Sequence, residues 1–138
     1  MIRVATETDF PVVKELVQGL IRDSIYGKFF KGYELTPFMF NQYTLNPLEK
    51  LCLMIEDTKG FAMFDLVPWP YIDKEVKFAR LSFIYIDPEY RGKGLMNDVL
   101  EAFEYWAKSV GAAYCAVGTK APKRGYKKSE TMYIKEIK

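Results

Sequence analysis

Histidine is absent from the chain, and its two cysteines, Cys52 and Cys115, lie far apart in no CxxC spacing. This excludes every histidine-based nucleophile triad and the common zinc patterns, which need imidazole or clustered thiolates. Two isolated cysteines read as reduced core residues in a cytosolic setting. No stretch approaches the roughly 18 uninterrupted apolar residues of a membrane span. The opening MIRVATETDF carries Arg3, Glu7 and Asp9, which the apolar core of a signal peptide does not tolerate, so a cytoplasmic protein is expected. An excess of one charge is missing too: 20 Lys and Arg stand against 18 Asp and Glu, a net +2. That is too little to nominate nucleic acid, whose phosphate-driven binding shows as a strongly basic face. Neither GxxxxGK[ST] nor GxGxxG occurs, so the P-loop and dinucleotide readings drop out.

What the chain has is apolar side chain, 49% of its 138 residues, with 16% aromatic. A single domain over 1–138 can bury a core of its own at this length. Ile2 to Ala5 reads as a short strand. Thr6 or Thr8 with Asp9 offers an N-cap, and Phe10, Val13, Val17 and Leu20 recur at helical spacing, with Pro11 tolerated early. The aromatic stretch from Tyr26 to Tyr43, broken by Gly27, Gly32 and Pro37, holds a short second helix between loops. LCLMIED and FAMFDLV, residues 51–57 and 61–67, form a hairpin joined through Gly60, ended by Pro68 and Pro70.

From Lys77 to Ile86 the strand pattern is apolar on both faces, as in a central strand covered on both sides. Leu95 to Val110 is an amphipathic helix with Leu95, Val99, Phe103, Trp106 and Val110 on its stripe and Gly111 as its cap. Ala112 to Val117 is another buried strand, which makes residues 77–117 a βαβ unit. A last strand is expected over Thr131 to Ile137.

Between that central strand and its helix runs IYIDPEYRGKGLM, residues 84–96. A glycine-rich turn before a helix leaves backbone N–H groups pointing outward, and the helix start adds partial positive charge, so the place suits a phosphate. Arg91 and Lys93 strengthen that preference, although RGKG alone is also what a solvated surface turn looks like.

In its context the stretch resembles the signature of the GNAT superfamily of acyl-CoA-dependent N-acyltransferases. Ile84 and Ile86 stand on the core strand, Pro88 in the bend, then Arg91, Gly94 and Met96, the last where the family has a small residue. The resemblance implies an α+β fold: a mixed, mainly antiparallel central sheet flanked by helices on both faces. It implies an N-acetyltransferase that moves an acetyl group from acetyl-CoA to a primary amine of a small molecule or protein, by direct attack in a ternary complex and without a metal. Arg91, Gly92, Lys93, Gly94, Leu95 and Met96 would hold the pyrophosphate, and Ile84, Tyr85 and Ile86 the pantetheine arm. The family's tyrosine-bearing helix after the strand at 113–117 has little room here, because Gly118 to Gly125 is short and contains Pro122. Gly125-Tyr126 corresponds to the turn that follows it.

Amine acylation needs a base or a water chain, because an ordinary lysine-type amine has a pKa near 10.4. The central strand offers no acid. Tyr85, Glu34 and Tyr126 are the catalytic candidates, with Asp65 on the hairpin as a further carboxylate. Cys115 beside the thioester channel reads as structural. The cations Lys120, Lys123, Arg124, Lys127 and Lys128 suit the CoA 3′-phosphate or an acidic partner, or form a solvated loop. The aromatics from Tyr26 to Tyr43 pack the core, wall a pocket or form a homodimer surface. Two other readings stay open: a GNAT-fold binding or structural protein without chemistry, and nucleic-acid binding through 120–128, which lacks a stacking platform apart from Tyr126.

Overall fold

The computed structural model describes residues 1–24, 32–68 and 77–117. The chain opens with β1 (Ile2–Val4). Just beyond it the Asp9 carboxylate accepts from the Thr6 backbone N–H at 2.9 Å and from both terminal nitrogens of Arg3 at 2.8 and 2.9 Å. This closes one 3-10 turn, Glu7–Asp9, and aims α1 (Phe10–Asp23) across the sheet. Pro11 sits in its first turn, where an N–H would have no helical acceptor. Val13 and Val17 are buried, as their spacing predicts, and the helix runs beyond Leu20 to Asp23. The short second helix is α2 (Pro37–Thr44), capped by Thr36, whose hydroxyl accepts from the Met39 N–H at 3.2 Å, and anchored by the fully buried Phe40.

The hairpin is β2 (Lys50–Ile55) and β3 (Gly60–Pro68). Its turn is made by Glu56 and Asp57, at φ 46° and 62°, and Gly60 has another duty. A Cβ on Gly60 would lie 2.7 Å from the Tyr85 carbonyl oxygen, so glycine there permits the close approach of the neighbouring strand. That neighbour is β4 (Lys77–Ile86), followed by α3 (Leu95–Ser109) and β5 (Tyr114–Val117). The sheet order is β1-β2-β3-β4-β5, antiparallel except for the parallel β4–β5 pair that closes the βαβ unit. α1 and α2 cover one face and α3 the other.

α3 buries Leu95, Val99, Leu100, Phe103, Trp106 and Ala107. Phe64 of β3 meets Phe103 and Trp106 with ring centroids 4.9 and 5.7 Å apart, and the Trp106 indole N–H donates to the Pro47 carbonyl at 2.8 Å. The helix ends at Gly111, φ 81°, where the N–H groups of Gly111 and Ala112 return to the carbonyls of Lys108 and Ala107. This satisfies two carbonyls that the last turn leaves open.

One irregularity decides where the site lies. Phe64 stands opposite Leu81 but Met63 stands opposite Phe83, so Ser82 is an extra residue without a cross-strand partner, a β-bulge. Before it Ala79 and Leu81 point toward α3; after it Ile84 and Ile86 do, and Tyr85 points toward α1. Two expectations are corrected here. β4 is not covered on both sides throughout, since Phe83 on the α1 side is 49% exposed. β5 is shorter than 112–117 and only half-buried, with Tyr114 58% exposed, because among the described residues it is an edge strand. The expected strand at 131–137 lies outside the described residues.

Candidate active site

Asp87 ends β4 and its carboxylate accepts from the Glu89 N–H at 3.0 Å, capping a second 3-10 turn, Pro88–Tyr90. Arg91 to Gly94 then lead into α3, with Gly92 and Gly94 at φ 78° and 80°. Gly94 is the N-cap residue of α3 and offers no side-chain acceptor to the first-turn N–H groups. Those amides, together with the positive end of the helix dipole, face outward as a seat for an anion.

The strand edge beside this seat is open. The Asp87 N–H donates to the Lys59 carbonyl at 2.7 Å, and the Tyr85 carbonyl points at Gly60, so Tyr85 and Asp87 address β3. Backbone groups alternate sides along a strand, which turns those of Ile84 and Ile86 the other way. On that side the described ladder with β5 joins only Phe78–Leu81 to Tyr114–Val117. The Ile86 carbonyl accepts from Arg91 Nε at 2.8 Å.

Between this edge and the end of α1 lies a cleft of about 300 Å³, lined by Leu20, Asp23, Ser24, Ile84, Tyr85, Ile86, Arg91 and Met96. Among the described residues Asp23 is the one carboxylate in that lining. Its Oδ2 accepts from the Tyr85 hydroxyl at 3.3 Å and lies 3.4 Å from Arg91 Nη2, while the Arg91 guanidinium sits 5.3 Å from the centre of the Tyr85 ring. Tyr85 reaches Asp23 because Gly19 lets it pass: a Cβ there would stand 2.6 to 2.8 Å from the Tyr85 ring and hydroxyl. The carboxylate, phenol and guanidinium therefore form one polar group beside Ser24, against the apolar side chains of Leu20, Ile84, Ile86 and Met96.

The model of the Acetyltransferase (GNAT) family matches residues 16–125 of the sequence. The chain belongs to this family. GNAT structures with the same fold include the GNAT family acetyltransferase of Staphylococcus aureus, 16% identical, TM-score 0.65, covering 99% of this chain and 98% of that one. An aminoglycoside N-acetyltransferase, AAC(6')-Iy, solved in complex with CoA, is 16% identical with a TM-score of 0.67 over 100% and 99%. The BH1408 protein of Bacillus halodurans, in a tetramutant form, is 17% identical with a TM-score of 0.72 over 96% and 99%. No curated protein sequence matches this chain.

Measured against a GNAT site, the expected donor residues separate by what they present. Ile84, Tyr85, Ile86, Arg91 and Met96 all line the cleft. Gly92, Lys93 and Gly94 form the loop above it, with Lys93 Nζ over the Tyr90 ring at 5.1 Å; Leu95 offers only its backbone, since its side chain is buried under α3. Glu34 is not in the cleft lining: its exposed side chain faces Lys14 at 3.8 Å. Tyr126 and the cations at 120–128 lie outside the described residues.

Asp65 is a poor base for a different reason. Burial pushes its carboxyl up, but hydrogen bonds from Lys50 and Ser82, the Lys50 charge and the Tyr43 hydroxyl outweigh this and hold it below the usual carboxylate range. Burial pushes the Cys115 thiol up, in keeping with a structural cysteine, and the Cys52 thiol up to about 12.

Sequence reasoning missed Leu20, Asp23, Ser24 and Gly19. Asp23 did leave a signal. It is an acid in the last residue of a helix, where the dipole favours a cation. Among the described residues no helix is long and apolar enough to cross a membrane.

Proposed function

We propose that the protein transfers an acetyl group from acetyl-CoA to a primary amine, carried by a small molecule or a protein, with both bound together. The observation that carries this reading is that one cleft joins an uncapped helix start, an open strand edge and a carboxylate–phenol pair. The first suits a pyrophosphate. The second suits an amide-bearing chain such as pantetheine, which can add to a strand edge. The third suits a protonated amine. The GNAT relative solved with CoA supports the choice of donor.

Acetyl-CoA supplies an activated thioester. The backbone amides from Arg91 to Met96 would bind its pyrophosphate, and Ile84 and Ile86 would hold its arm. Asp23 would receive the acceptor as an ammonium ion and orient it, in contact with the Tyr85 hydroxyl. Among the described residues Tyr85 Oη is the one phenol in the cleft lining, and it would carry a proton within it. No histidine exists to take the ammonium proton near neutrality, so that proton would leave to solvent, and turnover should climb as pH rises toward the amine pKa.

The test is a calorimetric titration with CoA and acetyl-CoA, followed by thiol-detected CoA release over a panel of amines, polyamines and peptides. Saturable binding with turnover on at least one amine is expected. Absence of binding at millimolar CoA would sink the donor assignment. Binding without release on any acceptor would favour the second reading, a GNAT-fold binding protein without chemistry. One feature supports that alternative: Arg91 already engages the Ile86 carbonyl and Asp23, so the polar groups of the cleft satisfy one another.

A further inference from the structure

Arg91 touches three parts of the cleft at once. The 3-10 turn Pro88–Tyr90 reverses the chain after β4, and the Arg91 N–H closes it on the Pro88 carbonyl at 3.3 Å. The side chain is thereby folded back over the strand it has left. Its Nε donates to the Ile86 carbonyl at 2.8 Å, its Nη2 lies 3.4 Å from Asp23 Oδ2, and its Cζ stands 5.3 Å from the centre of the Tyr85 ring. The same Asp23 oxygen accepts from the Tyr85 hydroxyl, while Asp23 Oδ1 lies 3.8 Å from Nε of the exposed Arg22 on its own helix. The Arg91 guanidinium thus spans the cleft from the end of β4 to the end of α1.

This placement turns the arginine away from the seat it borders. Arg91 begins the loop whose amides, with the start of α3, suit an anion. A guanidinium is a planar fork that pairs with phosphate as well as with carboxylate. Here the fork faces the protein's own carboxylate, and the other loop cation, Lys93, stands over the Tyr90 ring. Nη2 cannot serve Asp23 and a phosphate at full strength, so the two anions compete for it. The exchange has a second side. Once Arg91 leaves, Asp23 keeps only Arg22 as a cationic partner among the described residues, and its Oδ2 opens to an ammonium ion.

We propose that the Arg91–Asp23 pair is an autoinhibitory latch across the cleft. A phosphate draws Arg91 away and opens Asp23 to a cation, so an anionic donor and a cationic acceptor each favour binding of the other. The identity of those two ligands rests on the function proposed above; the competition for Arg91 does not. The two side chains are 48% and 39% exposed, which limits the effect, because an exposed ion pair changes a binding constant by at most about fivefold. By linkage the coupling is reciprocal.

The experiment is calorimetry on the full chain with CoA and, separately, with inorganic pyrophosphate. It compares wild type, Asp23→Asn, Arg91→Met, the double variant and Glu89→Gln, all changes at side chains that are at least partly exposed. Asp23→Asn removes the charge that holds Arg91 but keeps an acceptor for the Tyr85 hydroxyl, and should bind either ligand about threefold more tightly. Removing any negative charge near the seat also favours an anion, and two comparisons separate that effect. Glu89 is exposed in the same loop and makes no ion pair among the described residues, so Glu89→Gln should leave affinity nearly unchanged. In the Arg91→Met background Asp23→Asn should gain nothing measurable. No gain in Asp23→Asn would overturn the latch, as would a gain of equal size in Glu89→Gln or in the Arg91→Met background. If wild type does not bind CoA at millimolar concentration, the donor reading fails by itself and the pyrophosphate series decides the latch. If neither ligand binds wild type or Asp23→Asn, both fall.

Discussion

Gly92 and Gly94 are held by backbone conformation, because no atom lies within 4 Å of where a Cβ would stand on either. Their φ values of 78° and 80° are left-handed, which costs an L-residue about 1 to 2 kcal/mol. Gly94→Ala should therefore lower unfolding free energy by about 1 kcal/mol in urea titrations and weaken CoA binding, as the α3 amides turn away from the cleft. Gly19 is constrained in the opposite way, by space. Alanine there gains about 1 kcal/mol of helix propensity but overpacks against Tyr85 by about 1 to 3 kcal/mol. The net loss should reach at most about 2 kcal/mol, while the tip of Tyr85 is driven off Asp23. Activity should fall well beyond what the lost stability explains, and an unchanged kcat in Gly19→Ala would remove the Tyr85–Asp23 pair from the reaction. The two loop glycines are visible in the sequence because their turn is local. Gly19 is invisible there because the atom it makes room for belongs to β4, more than sixty residues away.

β4 with its flanking loop and α3 is the part of the fold most legible beforehand, because the strand, the glycine turn and the amphipathic stripe follow one another without a break. The bulge inside it is not legible. Phe83, Ile84 and Ile86 are all apolar, so an extra residue at Ser82 leaves the pattern apolar in either phase. The hairpin shows the same limit: two left-handed residues that are not glycine, Glu56 and Asp57, make the turn that Gly60 was expected to make. The carrying function of α3 also depends on its anchor. Phe103 is fully buried against Phe64, and Phe103→Ala should cost about 3 to 5 kcal/mol, a large share of the 5 to 15 kcal/mol of a typical domain. Phe103→Leu should cost less than half of that in the same urea titration. If the two variants unfold together, α3 is held mainly by Trp106 and its bond to Pro47.

The whole molecule's response to pH follows from which groups it has. Histidine, the side chain that ordinarily titrates between pH 5 and 8, is absent, so stability should be flat from pH 5 to 7. The acid side is different. Hydrogen bonds from Arg3 hold the Asp9 carboxyl below the ordinary carboxylate range, against the cost of its burial and with help from the Thr6 N–H; Asp65 is lowered too. A carboxyl depressed in the folded state adds stability that is fully present above its unfolded pKa, near 3.9, and is lost as pH falls through the folded value. Melting temperature should thus hold until about pH 4 and drop below it. Asp9→Asn keeps the shape but not the charge, and should cost about 1 to 2 kcal/mol at pH 6, at the lower end for a charged hydrogen bond because Arg3 is partly exposed. Protonation removes the same charge from wild type, so the two curves should converge toward pH 2. Parallel curves down to that pH would mean that Asp9 is held by its neutral contacts and that the acid limb belongs to Asp65, the other carboxyl that its partners depress.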